Sequence, residues 1–157
     1  MYIPKQFKFK IVKGRNRCLY ANKLFKKGEV VIQMRGEIEE CHGDSDPDSL
    51  QVDDNKFLNS KYRKLCDNIN HSCNANTKID VENLTLIATR DIEKGEEITF
   101  NYNTTDYDLV CENQQFECHC ESKNCIGVIK GFKYLTKSQK LKLKPYLLPY
   151  LKKKLKK

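Results

Sequence analysis

Three short stretches carry the residue types that do chemistry. The first is Asn70-His71-Ser72-Cys73, with Asn76 three residues further on. The second is Gly95-Glu96-Glu97-Ile98-Thr99-Phe100-Asn101-Tyr102, and the third is Cys118-x-Cys120-x4-Cys125. The third places three thiols on one short loop. A structural zinc takes four ligands in a tetrahedron and suits soft sulfur donors, so the loop lacks one ligand. A local zinc knuckle closed by His119 or Cys111 is one way to complete it, although His119 stands between two ligands and would point away from a metal they share. Taken alone, Asn70, His71 and Asn76 also suit turns, where they satisfy nearby backbone groups. A lone tyrosine ending a strand, as Tyr102 does, is ordinarily core.

The elements that must position these residues are short. Gln6 to Val12 alternates polar and apolar residues with period two, which predicts a half-buried strand. Glu29 to Met34 is β-branched and follows a turn at Lys27-Gly28. Leu50 to Asp53 and Lys56 to Leu58 flank a turn, and Thr77 to Val81 pairs with Leu84 to Thr89 across Glu82-Asn83. Glu97 to Phe100 follows Lys94-Gly95. Cys41 to Ser49 is a polar loop without periodicity. Helix is expected only late: Thr136 or Ser138 caps a segment around Gln139 to Lys144, Pro145 ends it, and Pro149 fits a further helix only in its first turn. Leu135, Leu141, Leu147, Leu148 and Leu151 are the candidate apolar contacts there. Many short strands at close spacing predict a mostly β (α+β) fold.

At 157 residues the chain has room for one core and not for two ordinary domains. No apolar run approaches the 18 or more residues of a membrane span, and Met1 to Lys10 lacks the apolar stretch of a secretory signal. A soluble, intracellular protein is expected, with no membrane partner. In that setting the eight cysteines (18, 41, 66, 73, 111, 118, 120 and 125) suit metal binding better than disulfides. Cys18, Cys41 and Cys66 are expected as small buried residues. The net charge of +8 is uneven. Residues 134–157 hold nine lysines and no acid, which leaves 20 basic and 21 acidic side chains in residues 1–133. The basic tail is either a solvated face or an attractor for nucleic acid or chromatin.

In this order and at these distances, the three stretches resemble the SET-domain protein lysine methyltransferases that carry a zinc-binding post-SET segment. The resemblance covers roughly residues 6–133. It implies a β-clip of short strands with a C-terminal pseudoknot, a zinc-bound post-SET loop and short C-terminal helices. It divides the chain into a SET domain at 6–110, a post-SET segment at 111–133 and a basic tail at 134–157. It makes Cys73 the fourth ligand beside Cys118, Cys120 and Cys125 of one structural Zn2+, tying the loop over the substrate channel. It implies S-adenosylmethionine as cosubstrate, with Asn70 at its methionine part, the His71 backbone at the adenine, and Phe116 packed on the adenine. Gly14 to Ala21 is similar to the family's cofactor loop, which implies contacts from Arg15, Arg17 and Leu19. Two family glycines are replaced there by Asn16 and Cys18.

Tyr102 would stand beside the methyl-transfer axis. Phe100, two residues earlier, would leave room for more than one methyl. Met34 takes the place of a second active-site tyrosine, and Phe132 or Tyr134 would close the channel. The implied substrate is a lysine-containing protein or peptide. A histone tail is the first expectation and a non-histone protein such as a ribosomal protein the second. The acidic residues Asp44, Asp46 and Asp48 are either a receiver for a basic peptide or a solvated turn. Two rival readings stay open: a folded, zinc-bound relic with weak or no activity, and a chromatin or nucleic-acid binding module working through the tail. Residence would be nuclear or cytoplasmic, or in a host nucleus for a viral or intracellular bacterial protein.

Overall fold

Alternation along the first expected strand yields β1 (Phe7–Ile11), which buries Phe7 and sends Lys8 outward. β1 pairs antiparallel with β2 (Arg17–Ala21), Phe9 opposite Leu19. The computed structural model describes residues 3–12, 17–40, 49–59, 65–111 and 113–155. Arg15, Asn16, Cys41 and the expected acidic loop at residues 44–48 lie outside the described residues.

The strands that follow are β3 (Val30–Gln33), β4 (Glu37–Glu40), β5 (Leu50–Asp53) and β6 (Lys56–Asn59). Then come β7 (Asn70–His71), β8 (Thr77–Asp80), β9 (Thr85–Ala88), β10 (Thr99–Phe100), β11 (Phe116–Glu117) and β12 (Val128–Ile129). They form five small sheets: β1-β2, β3-β9-β8, β4-β6-β5, β11-β12 and the parallel pair β10-β7. Only two α-helices are described, α1 (Lys137–Leu143) and α2 (Pro149–Lys154). The architecture is the mostly β one expected from the sequence.

Of the described strands of four or more residues, β2 and β4 are the two not expected from the sequence. β2 buries Cys18 and Leu19 in succession, so it has no alternation to read. Cys18 stands in this extended strand, where no left-handed backbone is demanded of it. β4 is exposed at every position and forms an edge of its sheet. Its three glutamates suit an edge, where charge discourages further pairing.

The small sheets share one core, with Leu19, Leu58, Leu86, Ile92 and Ile98 fully buried. The basic tail joins it. Thr136 caps α1 in a capping box with Gln139, and Pro149 opens α2. Leu147, Leu148, Tyr150 and Leu151 are buried. The Leu148 amide donates to the Thr104 carbonyl at 3.1 Å, and the Tyr150 hydroxyl donates to the Thr105 carbonyl. Leu141 is a correction, being 54% exposed. The seven-residue α1 turns it outward, away from Leu135, which is buried.

Candidate active site and metal centre

The site is assembled where β10 runs alongside β7. Thr99 faces Asn70 and Phe100 faces His71 in parallel register, so the first two motifs are brought into contact by a ladder only two residues long. The chain then turns into a short 3-10 helix over Tyr102–Thr104, capped by the Asn101 side chain. This turn swings Tyr102 back over β7. Its amide donates to His71 Nδ1 at 3.1 Å and its hydroxyl donates to the Ile69 carbonyl at 2.9 Å. The Asn70 amide donates to Glu97 Oε1 at 2.9 Å.

Four rings meet here. Phe100 and Tyr102 lie 4.7 Å apart between centroids, and His71 meets Tyr102 edge-on at 5.4 Å. Phe116, carried in by β11, meets His71 at 5.9 Å and Tyr102 at 5.8 Å. Burial pushes the His71 imidazole down to about 4, so the ring is neutral near pH 7. Burial, reinforced by Asp106 and Glu97, raises the Tyr102 phenol well above its usual value. Tyr102 is therefore a protonated donor across the working pH range.

Phe100, Tyr102 and Phe116 line a cavity of about 220 Å³ together with Met34, Leu58 and Ile69. Its polar lining includes Ser49, at the end of the polar loop expected from the sequence, and Asp106 and Gln114, which no motif or spacing in the sequence singled out. Neither Phe132 nor Tyr134 lines it. Phe132 is core, beside Tyr107, and the Tyr134 hydroxyl donates to Asp108 at 3.0 Å. Of the expected cofactor residues, the fold brings Asn70, His71 and Phe116 to this cluster. Leu19 is instead fully buried in the core, its carbonyl accepting the Ile98 amide at 2.8 Å. Arg17 is exposed, with its guanidinium over the Phe9 ring at 5.4 Å.

Next to the rings, the sulfurs of Cys73, Cys118, Cys120 and Cys125 all lie within 4.8 Å of one another. Cys73 and Cys118 are 3.9 Å apart. Four sulfurs about 2.3 Å from a tetrahedral zinc would stand about 3.8 Å from each other, so the set fits that ion. The electrostatics agree. Burial pushes the Cys73 thiol up to about 11 and the Cys118 thiol higher still. Cys120 is also opposed by burial, but backbone donors at Cys73 and Ser122 and the Ser122 hydroxyl draw it down to about 6. A bound cation would offset the burial that opposes ionisation of Cys73 and Cys118. His119 lies outside the cluster, 67% exposed and 3.9 Å from Glu117. Cys111 is exposed and also outside it.

Comparison with known proteins places this architecture. The SET domain family matches residues 16–103, more than half of the chain. The chain belongs to the SET-domain family. It is 39% identical over 64 residues to methyltransferase flvH of Aspergillus flavus, across 40% of this chain and 34% of that protein. It is 34% identical over 89 residues to the H3 lysine-36 specific histone-lysine N-methyltransferase of Saccharomyces cerevisiae, across 52% of this chain and 12% of the yeast protein. The protein of the same description from Mycosarcoma maydis is 41% identical over 69 residues, across 40% of this chain and 7% of its own length. The chain thus spans about a third of the first of these relatives and about a tenth of the other two. Among the described residues, no helix is long and apolar enough to cross a membrane.

Proposed function

We propose that the chain is a protein-lysine N-methyltransferase that uses S-adenosylmethionine, acts on a histone and adds more than one methyl group. The observation that carries this reading is the convergence of Asn70, His71, Phe100, Tyr102 and Phe116 beside one apolar-walled cavity, in a chain whose family match ends just past Tyr102. S-adenosylmethionine supplies a methyl group activated by its sulfonium. In this reading the carboxyl-terminal end of β7 and Phe116 hold the cosubstrate, with Asn70 and the His71 backbone as contacts. Arg15, Arg17 and Leu19 belong to the same proposal through their backbone or flanking positions. Residues 6–110 act as the SET domain, 111–133 as the zinc-bound post-SET segment and 134–157 as a basic tail.

The cavity does the chemical work on the lysine. A free lysine ammonium has a pKa of about 10.4, and only the neutral amine can attack. Walls such as Met34, Leu58 and Phe100 disfavour the charged form by desolvation. The amine displaces the methyl in line, the carbon–sulfur bond breaks as the carbon–nitrogen bond forms, and the surplus proton leaves to solvent. Tyr102, fixed by Ile69 and His71, orients the amine. Positioning is the main contribution.

The H3 lysine-36 specificity of the yeast and Mycosarcoma maydis relatives makes nucleosomal H3 the first substrate to offer and nuclear residence the matching location. A transfer assay with labelled S-adenosylmethionine on core histones and on a lysate, comparing wild type with Tyr102→Phe, tests the proposal. Label on a lysine that falls about a hundredfold in the variant supports it. No label on any protein, with zinc retained, favours the reading of an inactive module, which the buried Met34 in place of a tyrosine makes the natural rival. The exposed lysines of α1 and α2 favour contact with nucleic acid as a second partner. That contact should weaken steeply with salt.

A further inference from the structure

We propose that the His71 side chain is a positioning residue that ties the metal centre to the active-site tyrosine, with Nδ1 accepting the Tyr102 amide and Nε2–H donating to the Cys73 sulfur. This rests on the reading of Cys73 as a zinc ligand and of Tyr102 as the tyrosine of methyl transfer. It gives the imidazole a task separate from the backbone contact proposed for the same residue.

The tautomer follows from the partners. A backbone N–H can only donate, so the nitrogen 3.1 Å from the Tyr102 amide is the acceptor. The proton of a neutral imidazole then sits on the other nitrogen, which lies 3.4 Å from Cys73 Sγ. The ring cannot swing freely between other partners. His71 is 6% exposed, and its ring is held edge-on by Tyr102 and Phe116 at 5.4 and 5.9 Å. The parallel register of β7 and β10 puts His71 opposite Phe100, two residues short of the tyrosine. The Ser72 amide bonds the Phe100 carbonyl at 3.2 Å. One buried ring therefore spans from the third motif's sulfur cluster to the second motif's tyrosine.

The consequence is a mechanical link. A metal that fixes Cys73 fixes the donor end of His71, and the acceptor end fixes the Tyr102 backbone. Hydrogen-bonded partners behind metal ligands are typically worth 10- to 100-fold in affinity or activity. Zinc would thus act on the tyrosine without touching it.

Three substitutions read the two ends separately. His71→Asn places an amide oxygen near the Nδ1 position and falls short of the sulfur. His71→Gln reaches the Nε2 position and gives up the Nδ1 acceptor. His71→Phe keeps the ring packing and removes both bonds. The readouts are zinc release to a chromophoric chelator, the sulfur-to-metal charge-transfer band of the cobalt-substituted chain, and kcat at saturating S-adenosylmethionine. His71→Phe and His71→Asn should release zinc at least tenfold faster and move the band to lower energy, while His71→Gln stays near wild type in both. kcat should fall at least tenfold in His71→Phe and His71→Gln and by clearly less in His71→Asn, which alone keeps an acceptor for the Tyr102 amide. Wild-type zinc release and an unmoved band in both His71→Phe and His71→Asn would overturn the link. A wild-type chain that transfers no methyl, with the band still moving in His71→Asn, sinks the methyltransferase reading and leaves the sulfur bond standing. A chain that takes up neither zinc nor cobalt sinks the metal reading and this inference with it.

Discussion

The side chain of Asn76 grips the backbone of Thr99 across 23 residues of sequence, Oδ1 accepting the Thr99 amide at 2.9 Å. Its Nδ2 donates to the Glu97 carbonyl at 2.7 Å, and the neighbouring Thr77 hydroxyl donates to the Thr99 carbonyl at 2.7 Å. These bonds tie β10 to the start of β8, beside the two-residue ladder that joins it to β7. Asn76 is 1% exposed, so its loss strands partners away from water. Asn76→Ala should cost about 2–4 kcal/mol, because the buried Thr99 amide and the half-buried Glu97 carbonyl lose their partners. A lower urea midpoint at unchanged slope is the expected measurement. A change under about 0.5 kcal/mol would show that the grip is dispensable.

The same amide makes stability depend on acid. Asn76 Nδ2 also lies 3.2 Å from Glu96 Oε1, an oxygen that pairs with Arg90, while the Glu93 amide donates to Oε2 at 3.1 Å. Burial opposes the ionised carboxylate, but Arg90, Asn76 and the Glu93 amide outweigh it and hold Glu96 below its ordinary 4.5. A carboxylate depressed in the folded state adds stability above its unfolded value, and that addition is lost as the pH falls through the folded value. Glu96→Gln should therefore lower stability by about 1 kcal/mol at pH 7, discounted for the partly exposed Arg90. The gap between variant and wild type should close as the pH drops below 4.5. Thermal midpoints at neutral and acid pH check this, and a gap that persists in acid would refute it.

Neither grip was legible beforehand, and the reason is physical. β8 announces itself by alternation and β3 and β9 by their β-branched and apolar runs, and the hairpin between β8 and β9 is expected within a residue at each end. β2 hid because Arg17-Cys18-Leu19-Tyr20-Ala21 carries neither alternation nor a β-branched run, and β4 because none of its four residues is buried. β7 and β10 are too short for any period, and the side chains of Asn76 and Thr77 that hold β10 come from more than 20 residues earlier in the chain. Cys118, Cys120 and Cys125 declared a metal loop by spacing alone. Family resemblance, not spacing, pointed to Cys73, which the fold brings to them from 45 residues away. Asp106 and Gln114 reach the cavity from segments without a motif.

Metal removal should loosen one region and spare another. β11 and β12 pair over two residues only, and the Cys118 amide bonds the Gly127 carbonyl at 2.7 Å, so little besides the sulfur cluster closes this segment. Chelation should release one zinc per chain and raise amide exchange across residues 116–129, while the β3-β9-β8 sheet keeps its protection. Cys118→Ser should behave as the chelated protein does. Equal loosening of both regions would make the metal a requirement of the whole fold.

Room for methyl groups is the final test of the cavity. Phe100 and Met34 both line it and neither carries a hydroxyl, so Tyr102, whose own hydroxyl is already committed to Ile69, is the aromatic polar group nearest Phe100. A second hydroxyl in that wall would fill space and hydrogen-bond a partly methylated amine, holding it away from the transfer axis. Phe100→Tyr should accordingly stop product at the monomethyl stage, with the first transfer slowed by no more than about tenfold, since positioning by Tyr102 survives. Met34→Tyr should narrow the product in the same direction. Mass spectrometry of the substrate peptide after exhaustive reaction reads both. A wild type that itself stops at one methyl would refute multiple methylation, and a Phe100→Tyr variant with an unchanged distribution would mean that the further methyl groups sit against some other wall than the one Phe100 and Met34 form.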